Sequence, residues 1–242
     1  MKEKVLIYQM GKVGSTSLIK SILDFKIQPI QIHRLFFTNN EVKLNIRRII
    51  VKLKMHLDIF IHQYILRKRI KIITGYRDPM ARNVSTFFQH LNRNYSKKEI
   101  ASINYKELID DFSHSTFFDT PNNWFDIELK RKFGIDILKN SFDKEKGYSI
   151  ITNKKVDVFV YRLDKLNQLE EEIGMFLNIK NFKLTGANIG SEKSYAQLYI
   201  DFKKNYTPSD TLIKKLYTSK TINHFYSSKD IELLKNKWIK ND

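Results

Sequence analysis

Apolar positions along this chain follow two periods. Compact runs at Val5-Leu6-Ile7-Tyr8, Ile70-Lys71-Ile72-Ile73-Thr74-Gly75-Tyr76 and Val156-Asp157-Val158-Phe159-Val160-Tyr161 have the length and the β-branched or aromatic content of strands. Ile27-Gln28-Pro29-Ile30-Gln31-Ile32-His33-Arg34 alternates as a shorter strand, with His33 near its end. Strands of this kind run into stretches of helical spacing, which predicts an α/β fold with a short central parallel sheet and helices on both faces, a three-layer arrangement. A Pro-started helix is expected over 119–130, with Trp124 and Phe125 packing the core or, as the lesser alternative, forming an acceptor wall, and another helix after the 156–161 strand, through Phe176. From Tyr195 to Trp238 the spacing is helical with a break at Pro208, predicting two or three closing helices. With no internal repeat to divide it, the chain is expected to form a single domain over 1–242, its C-terminal part helical from about 193.

A helical insertion is expected at about 40–68. Ile46, Ile49, Ile50, Leu53, Leu57, Phe60, Ile61, Tyr64 and Ile65 recur at helical spacing, while Lys43, Arg47, Arg48, Lys52 and Lys54 fill much of the remainder. Stripes of this kind usually pack on their own domain, and that is the expectation here. The alternative is peripheral contact with a membrane surface through residues 43–65, which would put the chain where lipid-linked glycans are assembled.

Composition narrows the classes. In 242 residues, 42% hydrophobic content with 17 Phe and 12 Tyr describes a chain that folds around a sizeable core. The absence of Cys excludes disulfides and thiolate metal sites. No apolar run reaches the roughly 18 residues of a membrane span. Met1-Lys2-Glu3-Lys4 leads straight into a strand rather than an export signal, so a cytoplasmic location is expected, with the inner face of the membrane as its variant if the insertion docks. The net charge of +17 partly reflects a Lys-rich composition; the rest would attract an anionic cofactor, an acidic glycan, anionic lipid or nucleic acid. No recognisable nucleic-acid module is present, and no nucleic-acid partner is expected.

Two segments carry chemistry. The first strand runs into Gln9-Met10-Gly11-Lys12-Val13-Gly14-Ser15-Thr16-Ser17-Leu18 and then a helical pattern. Glycines permit a tight turn and close approach to an anion, Ser15, Thr16 and Ser17 bring hydroxyls and amide donors to a helix N-terminus, and Lys12 adds a full positive charge. A nucleoside-triphosphate loop would place Lys directly after the second glycine, whereas here Ser15 follows Gly14. A Gly/Ser turn entering an ordinary helix would read the same way in isolation. The second segment, Ile70 to Tyr76 followed by Arg77-Asp78-Pro79-Met80-Ala81-Arg82-Asn83-Val84-Ser85, is again strand into helix, with Asp78 as N-cap and Pro79 in the first turn. Arg82 and Ser85 share a helix face, and Arg77 and Ser85 can converge on one anion. An Arg-Asp pair bracing a turn is the plainer reading.

Together the two segments resemble the sulfotransferases that use 3′-phosphoadenosine 5′-phosphosulfate (PAPS), and the wording from Gln9 to Leu18 is most similar to bacterial carbohydrate sulfotransferases found with capsular polysaccharide genes. The resemblance implies a P-loop-like sulfotransferase fold and sulfuryl transfer to a hydroxyl of a carbohydrate, a capsular or other cell-surface polysaccharide or its precursor, suited to this chain's charge if acidic. It assigns Lys12, Val13, Gly14, Ser15, Thr16 and Ser17 to the 5′-phosphosulfate and Arg77 and Ser85, with Arg82 as helper, to the 3′-phosphate of PAPS and of its product PAP. It implies no metal. Asn188, Gly190 and Lys193 match a late loop that closes over the nucleotide in similar enzymes; a plain linker is the alternative. For the base, His33 is the candidate and Lys12 the stabiliser of the leaving phosphate, with His62, His90 and His114 as weaker choices. Two other readings stay open: a nucleotide-dependent kinase with a degenerate phosphate loop, and a non-catalytic basic adaptor that binds membranes or polyanions.

Overall fold

The computed structural model describes residues 4–36, 46–96, 100, 102–115, 118–186 and 195–239. The chain divides into two compact units, Met1–Tyr76 with Asn123–Thr185, and Arg77–Asn122 with Gly186–Asp242. Helices are α1 (Ser15–Leu23), α2 (Ile46–Phe60), α3 (Pro79–Asn94), α4 (Tyr105–Ser113), α5 (Thr120–Phe125), α6 (Glu170–Leu177), α7 (Ala196–Asn205), α8 (Asp210–Tyr217), α9 (Lys220–Phe225) and α10 (Ser228–Asn236). A π-helical turn, Ile61–Ile65, prolongs α2, and another, Asp126–Lys130, prolongs α5.

The first unit is built on a five-stranded sheet of β1 (Lys4–Tyr8), β2 (Ile30–Ile32), β3 (Ile70–Tyr76), β4 (Tyr148–Thr152) and β5 (Val156–Arg162), in the order β2-β1-β3-β5-β4. β1, β2, β3 and β5 are parallel, but β4 pairs antiparallel with β5, so the sheet is mixed rather than wholly parallel. The reason is the connection. Asn153 Oδ1 accepts the backbone N–H groups of Lys155 at 2.8 Å and Val156 at 2.9 Å, closing a turn short enough only for a strand to return beside its neighbour. β4 is also an edge strand with one buried residue, Ile151, and so carries no periodic signal.

Alternation places the core on both faces. Val5, Ile7, Ile73, Phe159 and Tyr161 pack against Leu18 and Ile22 of α1 and Ile173, Phe176 and Leu177 of α6. On the other face the Tyr8 ring meets Trp124 edge-on at 5.2 Å and Phe133 at 6.0 Å. Trp124 and Phe125 are core residues, as the sequence pattern predicts.

The insertion helix forms, but its stripe does not pack inward. Ile46, Ile50, Val51, Leu53, Leu57 and Phe60 are exposed, and Ile59 is the buried residue of α2. Among the described residues no helix is long and apolar enough to cross a membrane.

The second unit gathers α3, α4 and α7–α10. Its centre is aromatic: Phe202 lies 5.4 Å from Phe88, 5.2 Å from Phe112 and stacks on Tyr206 at 4.7 Å. Asp78 caps α3 by accepting from the Met80 N–H at 3.2 Å, with Pro79 in the first turn. Among the described residues the C-terminal part holds four helices, more than the Pro208 break predicts. Ser209, Ser219 and Ser227 each cap a fresh start, accepting from Leu212, Ile222 and Asp230 N–H groups, and the last forms a capping box with Asp230.

Candidate phosphate-binding site

β1 ends at Tyr8, and the Gln9 N–H donates to the Ile32 carbonyl at 3.1 Å, carrying the parallel pairing one step further. The chain then leaves the sheet at its carboxyl edge, where ligands collect in folds of this class. Met10 and Val13 are buried and anchor the loop. Two residues take left-handed backbone conformations: Lys12 at φ 73° and Gly14 at φ 93°. Gly14 is required twice over, because a Cβ there would also meet Leu163 Cδ1 and Leu166 Cδ2 at 2.9 Å. Gly11, by contrast, has open space and no positive φ, so the strained turn falls on a residue with a side chain, Lys12.

Gly14 is the N-cap of α1. It supplies no side-chain cap, and the first turn holds no acidic residue, so the amide donors of Ser15, Thr16 and Ser17 face the loop with the positive end of the helix dipole behind them. Among the described residues the Thr16 and Ser17 hydroxyls have no hydrogen-bond partner. Donors arranged in this way can receive an anion, with Lys12 half-buried beside them.

The loop is held from two strands away. Gly75 on β3 and Tyr161 on β5 are register partners, and a Cβ on Gly75 would lie 2.5 Å from Tyr161 Cζ. The missing side chain lets the Tyr161 ring cross β3 and donate its hydroxyl proton to the Val13 carbonyl. Tyr161 Oη also lies 3.0 Å from the Gln9 side-chain amide. One hydroxyl proton cannot serve two acceptors, so the amide faces the phenol with Nε2, which also gives that buried nitrogen a partner. Burial raises the Tyr161 pKa and keeps the phenol a donor.

His33, just beyond β2, comes to the same edge. Its Nδ1 is 2.9 Å from the Gln9 carbonyl, and its Nε2 is 3.0 Å from Gln31 Nε2, which also donates to Ser15 Oγ at 3.1 Å. A carbonyl only accepts, so Nδ1 carries the proton and Nε2 offers a lone pair to the Gln31 amide. The Trp124 indole N–H donates to the His33 carbonyl at 2.9 Å and fixes the backbone. Loop and His33 are thus joined through Gln9 on one side and Gln31–Ser15 on the other. His62 and His114 instead make local backbone contacts, with Arg69 at 3.1 Å and Asp110 at 2.9 Å, and His90 lies exposed on α3.

Glu128 is the buried acid that sequence reasoning does not single out. Its carboxylate is 1% exposed and accepts from Tyr8 Oη at 2.5 Å and Leu35 N at 2.7 Å. Burial raises its pKa, against the pull of the Tyr8 hydroxyl and the Leu35 and Phe36 N–H groups. It ties the end of β1 to the segment just after His33, and only the chain's spacing of an acid within an apolar helical run, Ile127-Glu128-Leu129, hints at it.

The second segment lies in the other unit. Arg77 and Ser85 are half-buried. Arg82 is only 5% exposed and donates through a guanidinium NH to Asn83 Oδ1 at 2.9 Å, so it sits in the interior rather than on an open helix face. Asp78 accepts from Tyr217 Oη at 2.6 Å and Trp238 Nε1 at 3.4 Å, and burial raises its pKa above the usual carboxylate range. These contacts fix the start of α3, directly after Arg77. Asn188, Gly190 and Lys193 lie outside the described residues.

The sequence model of the NKWYS family, described as "Putative capsular polysaccharide synthesis protein", matches residues 97–227. Glu128 and Tyr161 fall inside that span, while Lys12 to Ser17, His33, Arg77 and Ser85 precede it. No curated protein and no solved structure gives a significant match.

Proposed function

This chain belongs to the NKWYS family, described as a capsular polysaccharide synthesis protein, and within that role we propose, from the loop after β1 and its resemblance, that it is a sulfotransferase moving a sulfuryl group from PAPS to a hydroxyl of a carbohydrate. The observation that carries this reading is the uncapped N-terminus of α1, entered through Lys12 and Gly14 in left-handed conformations at the carboxyl edge of β1. A fold holds a lysine in that strained geometry at a cost of about 1 kcal/mol or more, which is commonly met at sites that bind a ligand. The loop fits a phosphate-type anion, and its wording is that of the sulfotransferase resemblance.

In this reading the Ser15, Thr16 and Ser17 amides bind the donor's phosphosulfate end, and Lys12 neutralises the charge that grows on the leaving phosphate. For the 3′-phosphate the same resemblance names Arg77 and Ser85. The donor supplies the sulfuryl group: the acceptor oxygen bonds to sulfur as the bond from sulfur to the bridging phosphate oxygen breaks, leaving PAP. The acceptor's proton goes to His33 Nε2, whose tautomer is set by the Gln9 carbonyl. The acceptor hydroxyl takes the place of the Gln31 amide at that nitrogen.

Calorimetric titration with PAP, with ATP as control and no added metal, tests the assignment. Tight PAP binding, a weak response to ATP, and loss of PAP affinity in both Lys12→Ala and Arg77→Ala are expected. Preference for Mg-ATP would replace the reading with a kinase, and no nucleotide binding at all would overturn it.

A further inference from the structure

The sequence predicts an amphipathic insertion, and the structure turns its apolar side outward. Ile46, Ile50, Leu53, Leu57, Phe60 and Tyr64 alternate by four and three residues and so form one stripe along α2 and its π-helical end. They are 48–69% exposed, among them Ile46 at 69% and Leu53 at 60%. The helix is held by its other side: Ile59 and His62 are buried, His62 Nε2 contacts the Arg69 carbonyl, and Asp58 pairs with Lys4 at 2.5 Å. The stripe therefore faces away from the unit that carries it.

Charge identifies what covers it. Arg47, Arg48, Lys52 and Lys54 lie on α2 against the single acid Asp58, already paired with Lys4. At about 100° per residue, Arg47 and Lys54 flank one margin of the stripe and Lys52 the other. At the C-terminal end Phe60 stacks on Tyr64 at 4.9 Å, and Lys155 of the β4–β5 turn sits over the Tyr64 ring at 3.7 Å, adding cation and aromatic edge together. A second copy of the chain would bring like charge against these margins, and a nucleic acid would leave the aliphatic stripe in water. An anionic bilayer answers both features: acyl chains accept Leu53, Leu57 and Ile50 while headgroup phosphates meet Arg47 and Lys54.

We propose that α2 with its π-helical extension lies in the plane of an anionic lipid bilayer, apolar stripe down, and holds the protein at the membrane surface. The inference is independent of the sulfuryl-transfer reading. Its test is co-flotation of the full chain with vesicles of phosphatidylcholine alone or mixed with phosphatidylglycerol. The wild type should float with the anionic vesicles, less so as salt is raised. Leu53→Glu with Leu57→Glu, exposed positions where folding can be checked by thermal melting, should weaken binding by about tenfold or more. Arg47→Glu with Lys54→Glu should remove the preference for anionic lipid. Failure of the wild type to float, or flotation of both variants like wild type, would overturn the proposal. So would a dimer that dissociates in the Leu53/Leu57 variant without any lipid binding. PAP titration of the same samples reads the nucleotide site separately.

Discussion

His33 Nδ1 lies 2.9 Å from the carbonyl oxygen of Gln9, and this one contact decides which imidazole nitrogen can accept a proton. The carbonyl takes Nδ1–H, so the lone pair is on Nε2, at the side shared with Gln31 and Ser15. His33→Ala should lower transfer by about 10²- to 10⁴-fold while leaving PAP affinity unchanged. His33→Asn, which can keep a donor to Gln9, should preserve stability and still fail in transfer. Loss of PAP affinity in either variant would show that His33 shapes the loop rather than serving as base.

Lys12 sits at φ 73°, where glycine is at ease and lysine is not. Lys12→Gly should stabilise the fold by up to about 1 kcal/mol, since the strain disappears. The same variant should bind PAP at least about tenfold more weakly, through the lost charge. Thermal melting and calorimetry read the two effects, and a variant that melts lower than wild type would contradict the strain argument.

Gly75 and Tyr161 predict a paired phenotype. Gly75→Ala forces a methyl to within 2.5 Å of the Tyr161 ring and should cost about 1–3 kcal/mol, as overpacked cores do. Tyr161→Phe keeps the ring and removes the bond to the Val13 carbonyl, with an expected cost of about 1 kcal/mol. Both should weaken PAP binding, although neither residue belongs to the loop. Unchanged affinity in Tyr161→Phe, measured by titration, would dissociate the tyrosine from the loop.

Glu128 gives a signed pH dependence. Its folded pKa is raised, chiefly by burial, so the folded chain holds this proton more tightly than the unfolded chain. That contribution is complete below the ordinary carboxylate value of about 4 and is lost as pH rises through the folded value. Glu128→Gln lacks the titration, so its stability relative to wild type should improve between acid and neutral pH in parallel denaturation curves. A gap that stays constant with pH would remove the assigned protonation difference.

Local signals were legible wherever the cause lies within a few residues. Apolar runs gave β1, β3 and β5, Asp78-Pro79 gave the start of α3, and Gly14-Ser15 gave the start of α1. The contacts that shape the site join residues far apart: Tyr8 to Glu128, 120 positions away, and Val13 to Tyr161, 148 positions away. No spacing rule reaches that distance. The sense of α2 was hidden for a different reason, because periodicity shows that a helix has an apolar side and not whether the domain or something else lies against it.

The hold of Tyr161 on Val13 also fixes an order of events. The loop is written in residues 9–17, yet one of its carbonyls is held by Tyr161, 148 positions further along the chain than Val13 and so made after it. Until β5 has docked beside β3 in register, the Val13 carbonyl lacks its Tyr161 clamp, while the loop keeps its ties to the β2 segment through Gln9 and Ser15. A nascent or truncated chain ending before residue 156 therefore carries the complete loop sequence without the strand that clamps it, and the loop takes its final shape late, together with the last parallel strand of the sheet.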